Sequence, residues 1–203
     1  MRITGGTASG RILKVPKGLG VRPTPDLVKQ ALFNSLGARV QDARVLELFA
    51  GTAALALDSL SRGALHAVCI EKASSHARFI RENLALASLP ANSLDVRVQD
   101  VFTALNQLAA SGTRFDLVLA DPPYGDKNVG RRSQSCAQQL LDNPHLPQTL
   151  NPGGLFVLGH ARRDTLEIPA TWRETKLLRH GDSVMRFFEV AAAGGQVEPR
   201  VDS

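Results

Sequence analysis

From Arg44 onward the 203-residue chain keeps one rhythm: a short apolar run, a turn, an amphipathic stretch, then another apolar run. The runs are "RVLELF", "HAVCIE", "LDVRVQ", "FDLVLA" and "GGLFVLGH". Between them lie "AALALDSLSR", "SSHARFIRENLALAS", "VFTALNQLAA" and "SQSCAQQLLDN", which have helical spacing. Runs apolar at most positions, rather than at every second one, belong to strands buried on both faces. Alternating with helices, they predict an α/β fold with a mostly parallel sheet covered on each side. The end breaks the rhythm. "TWRETKLLRH" and "SVMRFFEV" flank the turn dipeptide Gly181-Asp182, so the last two strands are expected to form an antiparallel hairpin at the sheet edge.

The beginning differs again. "RIT" and "RILKV", separated by Gly, Thr and Ser, have the pattern of a small hairpin. "RPTPDLVKQALFNSLG" follows as a helix, with Thr24 as N-cap, Pro25 at the first helical position and Gly37 as terminator. Val28, Leu32, Ser35 and Leu36 share one face of it, and Lys29 falls largely outside that face. Residues 1–25 carry Arg2, Arg11, Lys14, Lys17 and Arg22 with no acid before Asp26, so this segment holds a charge equal to the whole chain's +5. A basic segment beside a near-neutral body suits docking to a polyanion, and equally suits a solubilising surface. The expected organisation is a basic N-terminal β-hairpin over 1–22, a main domain over 23–190 and a disordered tail over 191–203.

No apolar stretch approaches the length needed to cross a bilayer, and "MRITGGTASGR" lacks the apolar core of a secretion signal. Cys69 and Cys136 have no metal-like spacing, and His66, His76, His160 and His180 are scattered, so no metal is expected. The expected location is cytoplasmic.

In an open α/β sheet, ligands bind outside the carboxyl ends of the strands. Four successive strand ends here carry an acid: Glu47, Glu71, Asp100 and Asp121. Any one of them could simply be capping a helix. Glu71 lies 20 residues beyond Gly51, where nucleotide-binding folds engage ribose hydroxyls. The first turn reads Gly51-Thr52-Ala53-Ala54-Leu55-Ala56, without the later glycines that let a backbone approach a pyrophosphate. A nicotinamide or flavin dinucleotide is disfavoured, and a ligand with adenosine but no phosphate fits better.

The fourth strand ends in "DPPYG". Two prolines freeze the loop, and they hold the Pro122 carbonyl beside the Asp121 carboxylate. An exocyclic amine on a nucleobase is a poor nucleophile because its lone pair is delocalised into the ring. Two fixed acceptors taking its N–H bonds would pull the nitrogen toward a tetrahedral shape and free that pair. Tyr124 offers a face on which the base can stack.

These residues resemble the class I S-adenosylmethionine-dependent methyltransferases that carry the amino-methylating (D/N/S)PP(Y/F) motif. More closely, the chain resembles the RsmD family of small-subunit (16S) ribosomal RNA guanine-N2 methyltransferases. The likeness runs over about residues 2–190, through "RITGG", "RPTPDLVKQALFNSL", "VLELFAGTAALALDSLSRGA", "IEK", "DPPYG" and "GDSVMRFFE". It implies a Rossmann-like, mostly parallel seven-stranded sheet with S-adenosyl-L-methionine as cofactor. In that family pattern Phe49, Ala50 and Gly51 lie under the methionine part, Glu71 binds the ribose, and Asp100 and Val101 hold the adenine. Arg22 and Thr24 lie beside the cofactor, and Asp121, Pro122 and Tyr124 hold the guanine. Arg2, Arg11, Lys14 and Lys17 would touch RNA, and so would Lys127, Arg131 and Arg132 of the loop after "DPPY". The implied partner is small-subunit rRNA or an assembling 30S particle, met by a monomer. The chain departs from F-A-G-(S/T)-G-A-L-G at Ala53 and Ala56, from a usual basic residue at Ser9, and from an acid after the fifth strand at Gly159-His160. Two other readings keep the same residues: an adenine-N6 methyltransferase acting on RNA or DNA, and an RNA-binding homologue with impaired catalysis.

Overall fold

A computed structural model of the chain describes residues 1–15, 24–125, 127–128 and 131–192. Helix α1 (Asp26–Leu36) precedes β1 (Arg44–Leu48), α2 (Ala54–Ser61), β2 (His66–Glu71), α3 (Ser74–Leu86), β3 (Leu94–Val98) and α4 (Val101–Ala110). The chain continues through β4 (Phe115–Ala120), α5 (Cys136–Asp142), β5 (Leu150–Ala161), β6 (Trp172–His180) and β7 (Ser183–Val190). The seven strands form one sheet in the order β3-β2-β1-β4-β5-β7-β6. Strands β1 to β5 pair in parallel, whereas β7 pairs antiparallel with both β5 and β6. The expected α/β architecture and its terminal hairpin are both present.

Successive residues of a strand point to opposite faces, which divides the core in two. Val45, Ala67, Cys69, Leu117, Leu119 and Val157 pack on one side with α1, α2 and α3. Leu46, Val68, Ile70, Val118, Phe156 and Phe188 pack on the other with α4 and α5. Trp172 closes the second layer: its ring lies 5.2 Å from Phe156, and its indole N–H donates to the Leu141 carbonyl at 2.9 Å. Apart from Val98, the outer strands are polar on their exposed positions, with Asp95 and Arg97 on β3 and Arg173, Glu174 and Lys176 on β6.

The N-terminal segment departs from a regular hairpin. Residues 1–15 make one antiparallel bridge, Arg2 with Ile12, and no named strand. The two arms are joined by backbone bonds from the amides of Ile3, Gly10 and Leu13 to the carbonyls of Arg11, Ile3 and Met1 at 3.0, 2.9 and 3.0 Å, and the turn between them packs on the end of α2. The Thr7 amide donates to the Ser61 carbonyl at 2.7 Å, and the Ser61 hydroxyl donates to the Gly5 carbonyl at 2.6 Å. Gly6 sits at φ 79°, and a Cβ there would overlap the Ser61 carbonyl, so only glycine fits. Ile3, Ala8 and Leu13 are buried in the same core as α1 and α2. The expected tail, from residue 193 onward, lies outside the described residues, as do Lys17 and Arg22.

Lys29 is fully buried, against the expectation that it lies outside the apolar face of α1. Its ammonium donates to Asp58 Oδ2 at 2.9 Å and to the Arg2 carbonyl, with Asp26 Oδ1 3.5 Å away. Asp58 is equally buried, and its Oδ1 accepts from the Thr4 amide at 2.8 Å and the Thr4 hydroxyl at 2.9 Å. Helical periodicity is blind to this placement because the partner carboxylate comes from α2, 29 residues later. The ion pair ties the N-terminal segment, α1 and α2 together.

Candidate active site

The chain steps outward from β1 to β2 to β3, then crosses back to β4 on the other side of β1. That reversal opens a crevice at the carboxyl ends of β1 and β4. Leu48 is level with Ala120 in the register, so the turn after β1 and Asp121 after β4 emerge side by side. A cavity of about 680 Å³ lies there, lined by Phe49, Gly51, Glu71, Lys72, His76, Asp100, Val101, Phe102, Cys136 and Asp121 through Tyr124.

The turn after β1 is tightly wound: Phe49, Gly51 and Ala53 have φ of 56°, 54° and 58°. Ala53 stands in the left-handed region at the N-terminus of α2, where an L-residue with a Cβ is strained by roughly 1–2 kcal/mol. Ala50 turns inward, buried in the core, with its amide donating to the Ile70 carbonyl at 3.0 Å. Its backbone, not its methyl, shapes the turn. Phe49 meets Phe102 edge-on at 6.3 Å and gives the cavity an apolar wall.

Glu71 is held from two sides. Its Oε2 accepts from the Gly51 amide at 2.8 Å, and its Oε1 accepts from the Ala73 amide at 2.8 Å with His76 Nδ1 at 3.3 Å. A carboxylate has about four acceptor sites, so lone pairs remain for hydroxyl donors in the cavity. Asp100 caps α4, its Oδ1 accepting from the Phe102 and Thr103 amides at 3.0 and 3.3 Å. Its Oδ2 faces Lys72 Nζ at 3.7 Å. A bound diol and an adenine ring therefore fit the residues present: a pre-set buried carboxylate beside apolar walls. His76 was not legible as a site residue, since a histidine five places after a strand end carries no motif; its proximity to Glu71 follows from the first turn of α3.

Glu47 proves to be the exception among the four strand-end acids. It is absent from the cavity lining, and its oxygens accept from the Leu55 and Ala56 amides at 3.3 and 2.7 Å, capping α2. Burial pushes its carboxyl up to about 8, aided by the nearby Asp121 charge and opposed by the two amides and Lys29. A folded-state value above the unfolded 4.5 means that the folded protein holds this proton where the unfolded chain has lost it. Stability from this group is therefore present at low pH and declines as pH rises from about 4.5 to about 8. Thermal melts at pH 5 and pH 8 should show a smaller decline for Glu47→Gln than for the native chain. Equal declines would remove Glu47 as the cause.

Asp121 lies at the head of the rigid corner. Burial raises its carboxyl, and a hydrogen bond from the Thr24 hydroxyl to Oδ2 at 2.5 Å opposes the rise. Its Oδ1 is buried without a hydrogen-bond partner among the described residues and lies over Gly159, where a Cβ would overlap it. Pro122 is buried, Pro123 is exposed and Tyr124 is half-buried, its hydroxyl 2.7 Å from that of Ser183 on β7. Thr24 is thus neither a helix cap nor a wall of the cavity. Pro25, whose side chain has no hydrogen-bonding atom, occupies the cap position of α1, and the Thr24 hydroxyl is engaged 97 residues away.

The basic residues divide into two groups. Arg2 pairs with Asp26 at 3.1 Å, Lys14 with Glu82 at 3.0 Å, and Arg132 with both Asp142 at 2.7 Å and Glu167 at 3.4 Å. Arg11, Lys127 and Arg131 are exposed and have no ion pair among the described residues. Among those residues no cluster of three or more His, Cys, Asp or Glu could hold a metal, and no helix is long and apolar enough to cross a membrane.

A sheet of this order, with an acid ending β2 and an Asp-Pro-Pro-Tyr corner after β4 at one cavity, is that of a class I S-adenosylmethionine-dependent methyltransferase. A family model described as Conserved hypothetical protein 95 matches residues 1–189. The chain belongs to that family, the RsmD family. It is 33% identical over 196 residues to ribosomal RNA small subunit methyltransferase D of Escherichia coli (strain K12), an alignment covering 96% of this chain and 92% of that one. Among solved structures, a hypothetical protein of Thermus thermophilus superposes with a TM-score of 0.76 at 30% identity, covering 94% of this chain and 99% of that one. The yhhF protein of Escherichia coli gives 0.77 at 27% identity, covering 95% and 98%.

Proposed function

We propose that this protein methylates the exocyclic N2 amine of a guanine in small-subunit (16S) ribosomal RNA, acting as a cytoplasmic monomer on that RNA or on the assembling 30S particle. The observation that carries the reading is the Asp121-Pro122-Pro123-Tyr124 corner opening into the same cavity as Glu71. The relative that the chain matches along most of its length is named for methylation of the ribosomal small-subunit RNA.

S-adenosylmethionine, when bound, supplies an activated methyl group on a positively charged sulfur. In this reading the lone pairs left on Glu71 accept the ribose hydroxyls, and Asp100, Val101 and Phe102 enclose the adenine. Phe49 and Gly51 border the methionine part, while Ala50 supports that turn from the core. Arg22, outside the described residues, is retained as a further cofactor contact. Asp121 Oδ1 and the Pro122 carbonyl accept the two N–H bonds of the guanine amine, and Tyr124 stacks on the ring. As nitrogen gains the methyl it becomes acidic, so a weakly basic carboxylate suffices to take its proton. Catalysis is then mainly positioning, which is worth several orders of magnitude in rate when reacting atoms are held in line.

RNA docks on the N-terminal segment, 1–22, and on the loop after Tyr124. Arg11, Lys127 and Arg131 are the cations best placed to meet phosphates, with Lys17 proposed beside them. Arg2 and Lys14 can join, since exposed ion pairs contribute little and exchange readily. Arg132 is committed to two carboxylates and is the weakest of the set.

The test is transfer of labelled methyl to unmodified 16S rRNA and to 30S particles, followed by mass spectrometry of the nucleosides. N2-methylguanosine is the expected product, and the faster of the two substrates identifies the form of the RNA that is methylated. N6-methyladenosine without N2-methylguanosine would overturn the guanine assignment.

A further inference from the structure

We infer that Thr24 is a positioning residue for the Asp121 carboxylate, rather than a cofactor contact. The inference rests on the proposed role of Asp121 as the acceptor for the substrate amine.

A carboxylate on a single side chain can rotate about its last bond and present either oxygen, or neither, to a substrate. Here the rotation is arrested from two directions. The Thr24 hydroxyl donates to Oδ2 at 2.5 Å, and the missing Cβ of Gly159 leaves the space that Oδ1 fills. The result is asymmetric: one oxygen is engaged, and the other is a buried acceptor with no partner among the described residues. A buried acceptor left unsatisfied is destabilising on its own, by more than the bond to Thr24 is worth in water-exposed surroundings. Such a group persists where a ligand donor completes it, and an amine N–H is a donor of the right kind.

Thr24 is itself well held. It is separated from α1 only by the cap residue Pro25, and α1 is fastened by Lys29 to Asp58 and to the Arg2 carbonyl. Asp58 in turn grips Thr4 through both its amide and its hydroxyl. The hydroxyl that orients Asp121 is therefore built into the same unit as the N-terminal segment proposed to dock RNA. No wall of the cofactor cavity is formed by Thr24, so its loss has no direct route to cofactor affinity.

Thr24→Val keeps the shape and removes the donor; Thr24→Ser keeps the donor. Each is compared with the native chain in methyl transfer to rRNA and in calorimetric binding of S-adenosylhomocysteine. For Thr24→Val the expected result is a kcat lower by about ten- to a hundredfold, the scale of one hydrogen bond to a charged group. Its KM for RNA and its Kd for S-adenosylhomocysteine should stay within about twofold of native, and Thr24→Ser should recover most of kcat. Three outcomes overturn the inference: native kcat in Thr24→Val, loss of S-adenosylhomocysteine binding as its main defect, or a Ser variant as slow as the Val variant. Total methyl transferred reports on Thr24 whichever base is modified. The identity of the modified nucleoside reports separately on the guanine reading, so the two fail distinguishably.

Discussion

Asp121→Ala is expected to lower methyl transfer by about a thousandfold or more while leaving S-adenosylhomocysteine binding within about twofold of native. The alanine removes the buried Oδ1 acceptor and strands the Thr24 hydroxyl, but it takes nothing from the Glu71 end of the cavity. Asp121→Asn makes the sharper comparison. Its amide oxygen still accepts an N–H bond, and the (D/N/S)PP(Y/F) pattern admits asparagine at this place. That variant should fall between native and alanine, because positioning survives while the charge and the proton acceptor are lost. The measurement is single-turnover transfer to rRNA beside calorimetry with S-adenosylhomocysteine. Native turnover in Asp121→Ala would take this residue out of the mechanism.

The second large effect concerns stability. Among the described residues, Lys29→Met leaves the buried Asp58 with only the more distant Arg62 as a cation, and Asp58→Leu leaves the buried Lys29 with only Asp26, 3.5 Å away. Breaking a buried pair from one side costs about 3–5 kcal/mol. For a domain of this size that is a fall in Tm on the order of 10 °C. The double variant Lys29→Met/Asp58→Leu should recover much of the loss, because a pair of apolar side chains in the same space leaves no uncompensated charge. Thermal melts of the four proteins form a double-mutant cycle. Strictly additive losses would show that the two side chains stabilise the fold independently.

These two sites mark where the sequence was legible and where it was not. The strand-and-helix rhythm, the Gly181-Asp182 hairpin and the cavity position of Glu71, Asp100 and Asp121 all follow from local signals: period, turn chemistry and strand ends. Lys29 and Thr24 do not. A helical wheel assigns Lys29 to solvent because it considers only the helix, whereas Asp58 on the next helix draws it inside. Thr24 has the local signature of a helix cap, and a carboxylate far along the chain outcompetes the backbone for its hydroxyl. The N-terminal hairpin was legible in outline, but the docking of its turn was not, since Thr7 and Gly5 bond to Ser61 at the buried end of α2. Glu47 shows the converse. One acid among four at the strand ends serves only the fold, and nothing in the spacing separates it from the others.

The charged rims of the sheet have a bearing on behaviour at high concentration. An open sheet ends in two strands with unsatisfied backbone groups, which can recruit a strand from a neighbouring molecule. Asp95 and Arg97 on one rim, and Arg173, Glu174 and Lys176 on the other, deny such a recruit any smooth oily template. A protein that works on ribosomal RNA is thereby guarded against stacking into fibres along either border.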